Sequence, residues 1–486
     1  MVLVSIFLLS LPAVTPRIYA SDEIQYFSYL RSLWFDRDVS FENEYQYFFD
    51  QNIGRGEGFH ATFLEQYTEA GRRPSFATLG SALLWSPFYA MADVVMRLTG
   101  GTADGYSYPY VAAVAYGSAF YGFIAVLLSI AAARRLAGPG LLAGVIVWLG
   151  TPLLFYMYVS PPYSHACSAF AVALFVTVWL KVRERWTVGG AVALGLSGAL
   201  MAMVREQDLF LAIGPAVDFV GTTVNTGRAG LKLEEPGRSI GSARGPSAAR
   251  SRGARASGGG APRALSNADR AGGLKNSVGV ALAGCSAFAL GLTPQLLAYK
   301  ALNGRFGPST LVMRKMNWQA PHTLEVLFSP EHGFFIWTPL AALAIAGLVV
   351  LAIRGASDLR RVAWCALLMA AVQVYVSGSV ESWTVAGAFG QRRFVALTVL
   401  LAIGLAALIA AVPRGAPRAT LGVVLGLSVW WNLALIVEFG TGLMNRQRLE
   451  PAKNAYDAFV TIPQRVPSLA YRYLFERSSF YSEKKP

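Results

Sequence analysis

Charge is scarce in this chain: Asp, Glu, Lys and Arg make up 14% of its 486 residues, while 54% are hydrophobic. A soluble domain carries roughly a quarter charged residues, so a soluble globular class is excluded. Repeated uncharged runs of ~18–22 residues match the length a helix needs to cross a bilayer. Cysteine is scarce too. Its three copies, Cys167, Cys285 and Cys365, lie far apart in apolar segments, which excludes a disulfide framework or a metal-ligand spacing and suits small packing residues. Nucleotide motifs are missing: there is no P-loop and no dinucleotide fingerprint behind a strand. No Lys or Arg precedes the apolar run Val2–Ala13, so the basic opening of a signal peptide is absent and the run is expected to be a retained first crossing.

What is present is a series of apolar segments. After the first, candidate crossings are 108–133, 141–158, 164–181, 188–204, 209–224, 278–299, 333–353, 362–377, 394–412 and 420–439. The expected fold is an all-α polytopic membrane protein with about eleven transmembrane helices. Basic loops assign the sides, because Lys and Arg favour the cytoplasm. Arg134-Arg135, the 181–185 turn, 225–277, 354–361 and 414–418 are expected inside. Segments 160–163, 205–208, 301–332 and 378–393 then fall outside. The N-terminus is expected inside and the C-terminus outside, in a prokaryotic cytoplasmic (inner) membrane.

Parity makes 76–98, with Pro87, Asp93 and Arg97, a non-crossing juxtamembrane helix inside a large external loop, 21–106. A helix hairpin is the alternative. The first part of that loop, 21–73, holds ten Asp/Glu against five Arg. Ile24, Phe27, Leu30, Leu33 and Trp34 recur at helical spacing and predict an interfacial amphipathic helix. Asp22 and Glu23 sit in its first turn, where the helix dipole favours anions.

The formal net charge of +14 invites a nucleic-acid reading until its location is checked. Segment 225–277 alone carries ten Arg/Lys against three acids. With almost no bulky apolar residues after Leu233 and no interleaved aromatics, it reads as a disordered cytoplasmic linker, and nucleic acid is not an expected partner. The expected organisation is an N-terminal module 1–224, the linker 225–277, a C-terminal module 278–440 and an external tail 441–486. Aromatic residues of that tail are expected to form interfacial helices over the external face.

The segment Tyr19-Ala20-Ser21-Asp22-Glu23-Ile24-Gln25-Tyr26, directly after the first crossing, resembles the acidic opening of the first external loop in GT-C membrane glycosyltransferases. The closest look is to the branch of protein O-mannosyltransferases and the bacterial aminoarabinose transferase of lipid A. Leu33–Val39 resembles that branch's short Gly-Asp-Trp segment, and Arg73-Pro74 stands where it has Lys-Pro-Pro. Arg134-Arg135-Leu136 and Leu149-Gly150-Thr151-Pro152 match it as well.

The resemblance covers about the first 210 residues. It implies an inverting transferase that takes a sugar from a polyprenyl-phosphate donor to a lipid, glycan or protein acceptor. Asp22 is then the expected general base, with Glu23 beside it. The pattern departs at Pro161-Pro162-Tyr163-Ser164-His165, where the family often has a second acid. No cofactor is therefore expected, a divalent metal being disfavoured although imidazole can ligate one. His165 is assigned to phosphate, with a helix-start histidine as the alternative.

Arg392 and Arg393 precede a crossing on the external side, where a positive-inside chain should avoid Arg. They are candidates for a donor-phosphate clamp, the alternative being snorkelling to membrane lipids. Arg205, His332, Glu381 and Trp383 are candidate substrate-binding residues on the same side. A transporter or lipid flippase, and a non-catalytic membrane protein with this fold, stay open. Transporters, however, tend to place charges mid-helix, and here the ionisable residues sit mostly at helix ends.

Overall fold

A computed structural model describes residues 2–54, 58–232, 267–385 and 387–480. Among them every regular element is helical, and the sole β pairing is an isolated bridge between Met316 and Val380. Six helices are long and apolar enough to cross a membrane: Tyr108–Ala137, His165–Val182, Asn276–Asn303, Ser357–Gly378, Arg392–Ala411 and Ala416–Thr441. Four shorter apolar helices accompany them: Val2–Ala13, Gly140–Gly150, Val188–Val204 and Pro339–Arg354. With Ile213–Lys232, these overlap the segments expected from hydropathy, although 209–224 opens in the 3-10 stretch Glu206–Ala212 and 333–353 breaks at Thr338 into Phe334–Trp337 and Pro339–Arg354. The protein is an all-helical polytopic membrane protein.

The expected crossing 141–158 is not one helix. It breaks into α1 (Gly140–Gly150) and α2 (Leu153–Tyr158). Pro152 cannot continue the ladder, and Thr151 before it is extended at φ −131°. The carbonyls freed at the break are capped from a distant helix, because Asn432 Nδ2 donates to Leu149 O at 2.8 Å and to Thr151 O at 3.1 Å. An unpaired carbonyl at membrane depth would be costly, so the cap is what makes the break tolerable.

The helix expected after Asp22 runs Ser21–Arg31, but its apolar face turns to protein rather than lipid. Ile24, Phe27 and Leu30 are buried, while Leu33 and Trp34 lie past its end and are partly exposed. The helix Gly80–Leu98 is not among those apolar enough to cross. Trp85, Tyr89 and Asp93 face inward, and Met91, Val94, Val95 and Leu98 are left uncovered, the two-faced pattern of a helix lying at an interface. Asp93 ties it down by accepting from Tyr110 Oη at 2.7 Å and Trp34 Nε1 at 3.2 Å, and it pairs within the helix with Arg97 Nε at 2.9 Å.

Most of the expected linker 225–277 falls outside the described residues. Both its ends are helical, since helices Ile213–Lys232 and Asn267–Asn303 reach into it. The tail forms helices Pro451–Tyr456 and Ile462–Phe475. It is strapped to the first segment: Tyr473 Oη donates to Ala13 O at 2.9 Å, and Arg477 donates to the Val14 and Pro12 carbonyls.

Small residues let the central helices touch backbone to backbone, the usual solution where lipid offers no hydrophobic drive. A Cβ on Gly347 would lie 1.9 Å from Gly404 O, and one on Gly404 would lie 2.1 Å from Ala344 O. Gly404→Val should therefore force Pro339–Arg354 away from Thr398–Ala411. The expected outcome is a loss of monodisperse protein in detergent, checked by fluorescence size-exclusion profiles against Gly422→Val, whose Cβ meets nothing within 4 Å.

Candidate functional site

Asp22 owes its position to Glu23. In the first turn of helix Ser21–Arg31 the Glu23 carboxylate folds back and accepts from the backbone N–H of Tyr19 at 2.8 Å and Ala20 at 3.1 Å. This is the side chain's half of a capping box, formed without its partner because Ala20 has no side-chain acceptor. Oε1 is held by Ser160 Oγ at 2.9 Å, which also meets Tyr19 Oη at 2.8 Å. Glu23 is thus fully buried with both oxygens engaged, and burial pushes its carboxyl up to about 7 against those hydrogen bonds. The expectation that Asp22 and Glu23 act as a catalytic pair separates into two roles. Glu23 pins the helix start to the loop before helix His165–Val182, and Asp22 points outward from it.

Burial that raises an acid's pKa makes the folded state bind the proton more tightly than the unfolded state. Stability is then highest at low pH and falls as pH rises from about 4.5 through about 7. Glu23→Gln can keep the caps through its amide oxygen and donate to Ser160. Wild-type melting in detergent should drop between pH 5 and pH 8 more steeply than that of the variant, by on the order of 3 kcal/mol at most.

The side chain facing Asp22 comes from the far end of the sequence. Arg392 Nη1 lies 2.8 Å from Asp22 Oδ2; Asp22 is 39% exposed and Arg392 17%. The Arg392 guanidinium also sits 5.4 Å from the centre of the Tyr163 ring. The loop that delivers it is stapled to the helix break described above. Tyr156 Oη donates to Phe389 O at 3.0 Å, the Phe155 and Phe389 rings stack at 4.6 Å, and Gly390, at φ +59°, passes over Pro152. Glycine adopts that conformation at the least cost, and a Cβ there would lie 2.8 Å from Pro152 Cγ.

Arg393 does not join Arg392 in pairing with Asp22. Its Nη1 donates to Ser382 O at 3.0 Å and its Nη2 to Ser382 Oγ at 3.3 Å, so it holds the loop closed. Its own carbonyl accepts from Gln373 Nε2 at 2.9 Å and Gln207 Nε2 at 3.3 Å. That last bond ties the loop to the Arg205–Asp208 turn. The turn is itself fixed by the lead-in to helix Gly80–Leu98, since Thr78 Oγ1 donates to Val204 O at 2.8 Å and a Cβ on Gly80 would meet the Met203–Val204 backbone at 2.4 Å.

Arg205 and His165 complete the cluster. Arg205 Nη1 lies 2.9 Å from His165 Nδ1 and 3.3 Å from Ser164 Oγ. The His165 ring stacks on Tyr163 at 5.5 Å and meets Tyr156 edge-on at 4.4 Å. Both His165 Nε2 and Arg205 Nε are buried without a hydrogen-bond partner among the described residues. Two buried nitrogens left open beside the Arg205 and Arg392 guanidiniums suit an anionic acceptor. The charges of Arg205, Arg392 and Arg393 all act on His165, and Tyr26 is under the influence of Asp22, Arg205 and Arg392.

The three other expected substrate residues make no hydrogen bond or ion pair with Asp22 or Arg392 among the described residues. Glu381 is exposed and uses its N–H on Lys315 O at 2.8 Å. The Trp383 ring stacks on His322 at 5.4 Å, and its carbonyl is taken by Gln391 and Arg393. His332 is fully buried against Trp337 at 4.5 Å. Burial lowers its pKa to about 4, which keeps the ring neutral at pH 7. Tyr26, Tyr156, Ser160 and Tyr163 are site residues that sequence reasoning missed. Only Tyr26, one turn after Asp22 on the same helix face, carried a signal in its spacing.

Acids near the cluster are few. Glu206 is pushed up to about 7 and Asp208 to about 6, by burial in both cases; Asp208 Oδ2 accepts from Ser168 Oγ at 2.6 Å. Among the described residues no three His, Cys, Asp or Glu side chains gather as a metal site.

No family model matches the chain, and no curated protein matches it. Among solved structures it is similar to ArnT from Cupriavidus metallidurans in the apo state, with a TM-score of 0.45 and 14% identity over 98% of this chain and 78% of that one.

Proposed function

We propose that the protein is a membrane glycosyltransferase. It moves a sugar from a polyprenyl-phosphate donor to an acceptor hydroxyl at the end of the bundle where Asp22 and Arg392 meet, outside the cytoplasm. The observation that carries this reading is the 2.8 Å pair between Asp22 and Arg392, which places a partly exposed carboxylate against a cation with open, anion-seeking nitrogens behind it. The motifs around Asp22 and Pro152 support the same reading, because they converge on this one spot from 130 residues apart in sequence.

An acceptor hydroxyl is a weak nucleophile until a base takes its proton. As its oxygen bonds to the anomeric carbon, the proton passes to Asp22. The bond from that carbon to the phosphate oxygen breaks on the opposite face, and the electron pair leaves on the lipid phosphate. Arg392, with Arg205 and His165 Nε2 behind it, stabilises that charge. In the ligand-free pair Arg392 holds Asp22, so an arriving phosphate draws the guanidinium away and frees the base. A metal has no part in the proposal: Asp22 faces Arg392 and His165 faces Arg205, so a further cation between them would be repelled.

The test is transfer of radiolabelled sugar in membranes containing the protein, with polyprenyl-phosphate sugars and nucleotide sugars offered separately. Transfer from the lipid-linked donors alone is the expected result. Turnover with neither, in protein that elutes as a single folded species, would overturn the reading.

A further inference from the structure

At the end of the bundle opposite Asp22, a groove opens between α3 (Ile213–Lys232) and α4 (Ser357–Gly378). It encloses about 410 Å³ and is lined by Ser357, Arg360, Arg361, Trp364, Cys365 and Leu368 of α4 and by Val217 of α3. The α4 residues recur at three- and four-residue steps and form one continuous helix stripe. Its character changes along the axis, from a hydroxyl and two guanidiniums at the helix start to Trp364, Cys365 and Leu368 deeper in. Trp364 is 57% exposed and Val217 46%, so the groove opens sideways and no element among the described residues covers its apolar half.

The charge at its mouth is not balanced from within. Arg183 satisfies both nearby acids, with Nε 2.9 Å from Asp218 Oδ2 and Nη1 2.7 Å from Asp358 Oδ2. Arg361 reaches Asp218 only at 4.0 Å and donates to Thr222 Oγ1 at 3.1 Å. Arg360 is exposed and has no ion-pair partner among the described residues. Two guanidiniums beside an apolar slot that deepens along a membrane-spanning helix match an anionic headgroup joined to an acyl chain. A free phosphate would satisfy the arginines and leave the slot bare.

We propose that this groove binds an anionic phospholipid of the adjoining leaflet, its phosphate on Arg360 and Arg361 and a chain against Trp364 and Leu368. Basic pockets between membrane helices are attracted to such headgroups, by about 1 kcal/mol per arginine near the surface. The site is remote from Asp22 and stands whether or not the catalytic reading does.

Trp364 supplies the probe. The full chain is placed in phosphatidylcholine discs containing a minor fraction of brominated phosphatidylglycerol or, separately, brominated phosphatidylcholine. Because the chain has eleven tryptophans, the Trp364 signal is taken as wild type minus Trp364→Phe. Quenching should be several-fold stronger with the brominated phosphatidylglycerol, and Arg360→Gln should lower that preference by roughly fivefold. Arg360 is exposed, so its replacement leaves folding intact. Equal quenching by the two lipids, or a preference indifferent to Arg360→Gln, would overturn the proposal. In a third arm inorganic phosphate is added to plain phosphatidylcholine discs. A Trp364 response to phosphate with no gain from phosphatidylglycerol would assign the site to a free anion and also overturn it.

Discussion

Asp22→Asn should lower the turnover of sugar transfer by about 10²–10⁴-fold, the usual contribution of a positioned general base. Donor affinity should change little. The substitution is close to isosteric and leaves the helix start untouched, because the caps at Tyr19 and Ala20 belong to Glu23. The loss would therefore fall on kcat rather than on folding, which size-exclusion and melting profiles check directly. A side effect follows from the 2.8 Å contact with Arg392. The neutral amide no longer competes with the donor phosphate for the guanidinium, so the variant's KM for the lipid donor should stay level or fall. A base that only holds Arg392 in place would give the reverse pattern, with KM rising and kcat preserved. Full activity in Asp22→Asn would remove Asp22 from the chemistry altogether.

The membrane character was legible in the sequence because hydropathy is a property of contiguous residues. Apolar runs of the right length have few options in a bilayer, and the segments expected to cross recur as helices. The break at Thr151 was legible only in part. Pro152 announced it, but Asn432, nearly three hundred residues away, makes it affordable. The helix after Asp22 was seen correctly and its surroundings were not, since periodicity reports that a face is apolar without saying what covers it.

The same limit governs the site. Asp22 and Arg392 were each singled out from local context, yet their contact is a long-range fact. The division of labour between Arg392 and Arg393 had no sequence signal at all. Adjacent residues in a tight helical turn point in different directions, and which of them reaches Asp22 depends on Ser382 capturing the other. Glu23 shows the converse case. A Glu three residues into a helix after an extended residue is a capping pattern, and Glu23 is engaged in that cap while Asp22 is left to face Arg392.

That division sets the second large effect. Arg392→Gln should reduce transfer by about 10²–10³-fold, the range seen when one donor to a developing anion is removed. The effect should appear in kcat and in donor KM together, because the guanidinium meets the phosphate before and during bond cleavage. Arg392→Lys should recover only part of it: an ammonium supplies the charge but not the planar fork that grips two phosphate oxygens at once. Arg393→Gln is the informative contrast. Its guanidinium is spent on the Ser382 and Trp383 carbonyls, so its loss should lower the melting temperature and loosen the loop that carries Arg392. Activity would then fall through positioning, and lower temperature should restore part of it. Arg392→Gln should show no such recovery, since its loop stays closed and the missing group is the one that meets the phosphate. If the two variants instead behave alike, with equal melting and equal loss, the two arginines share one role and the assignment of Arg392 as the phosphate contact fails.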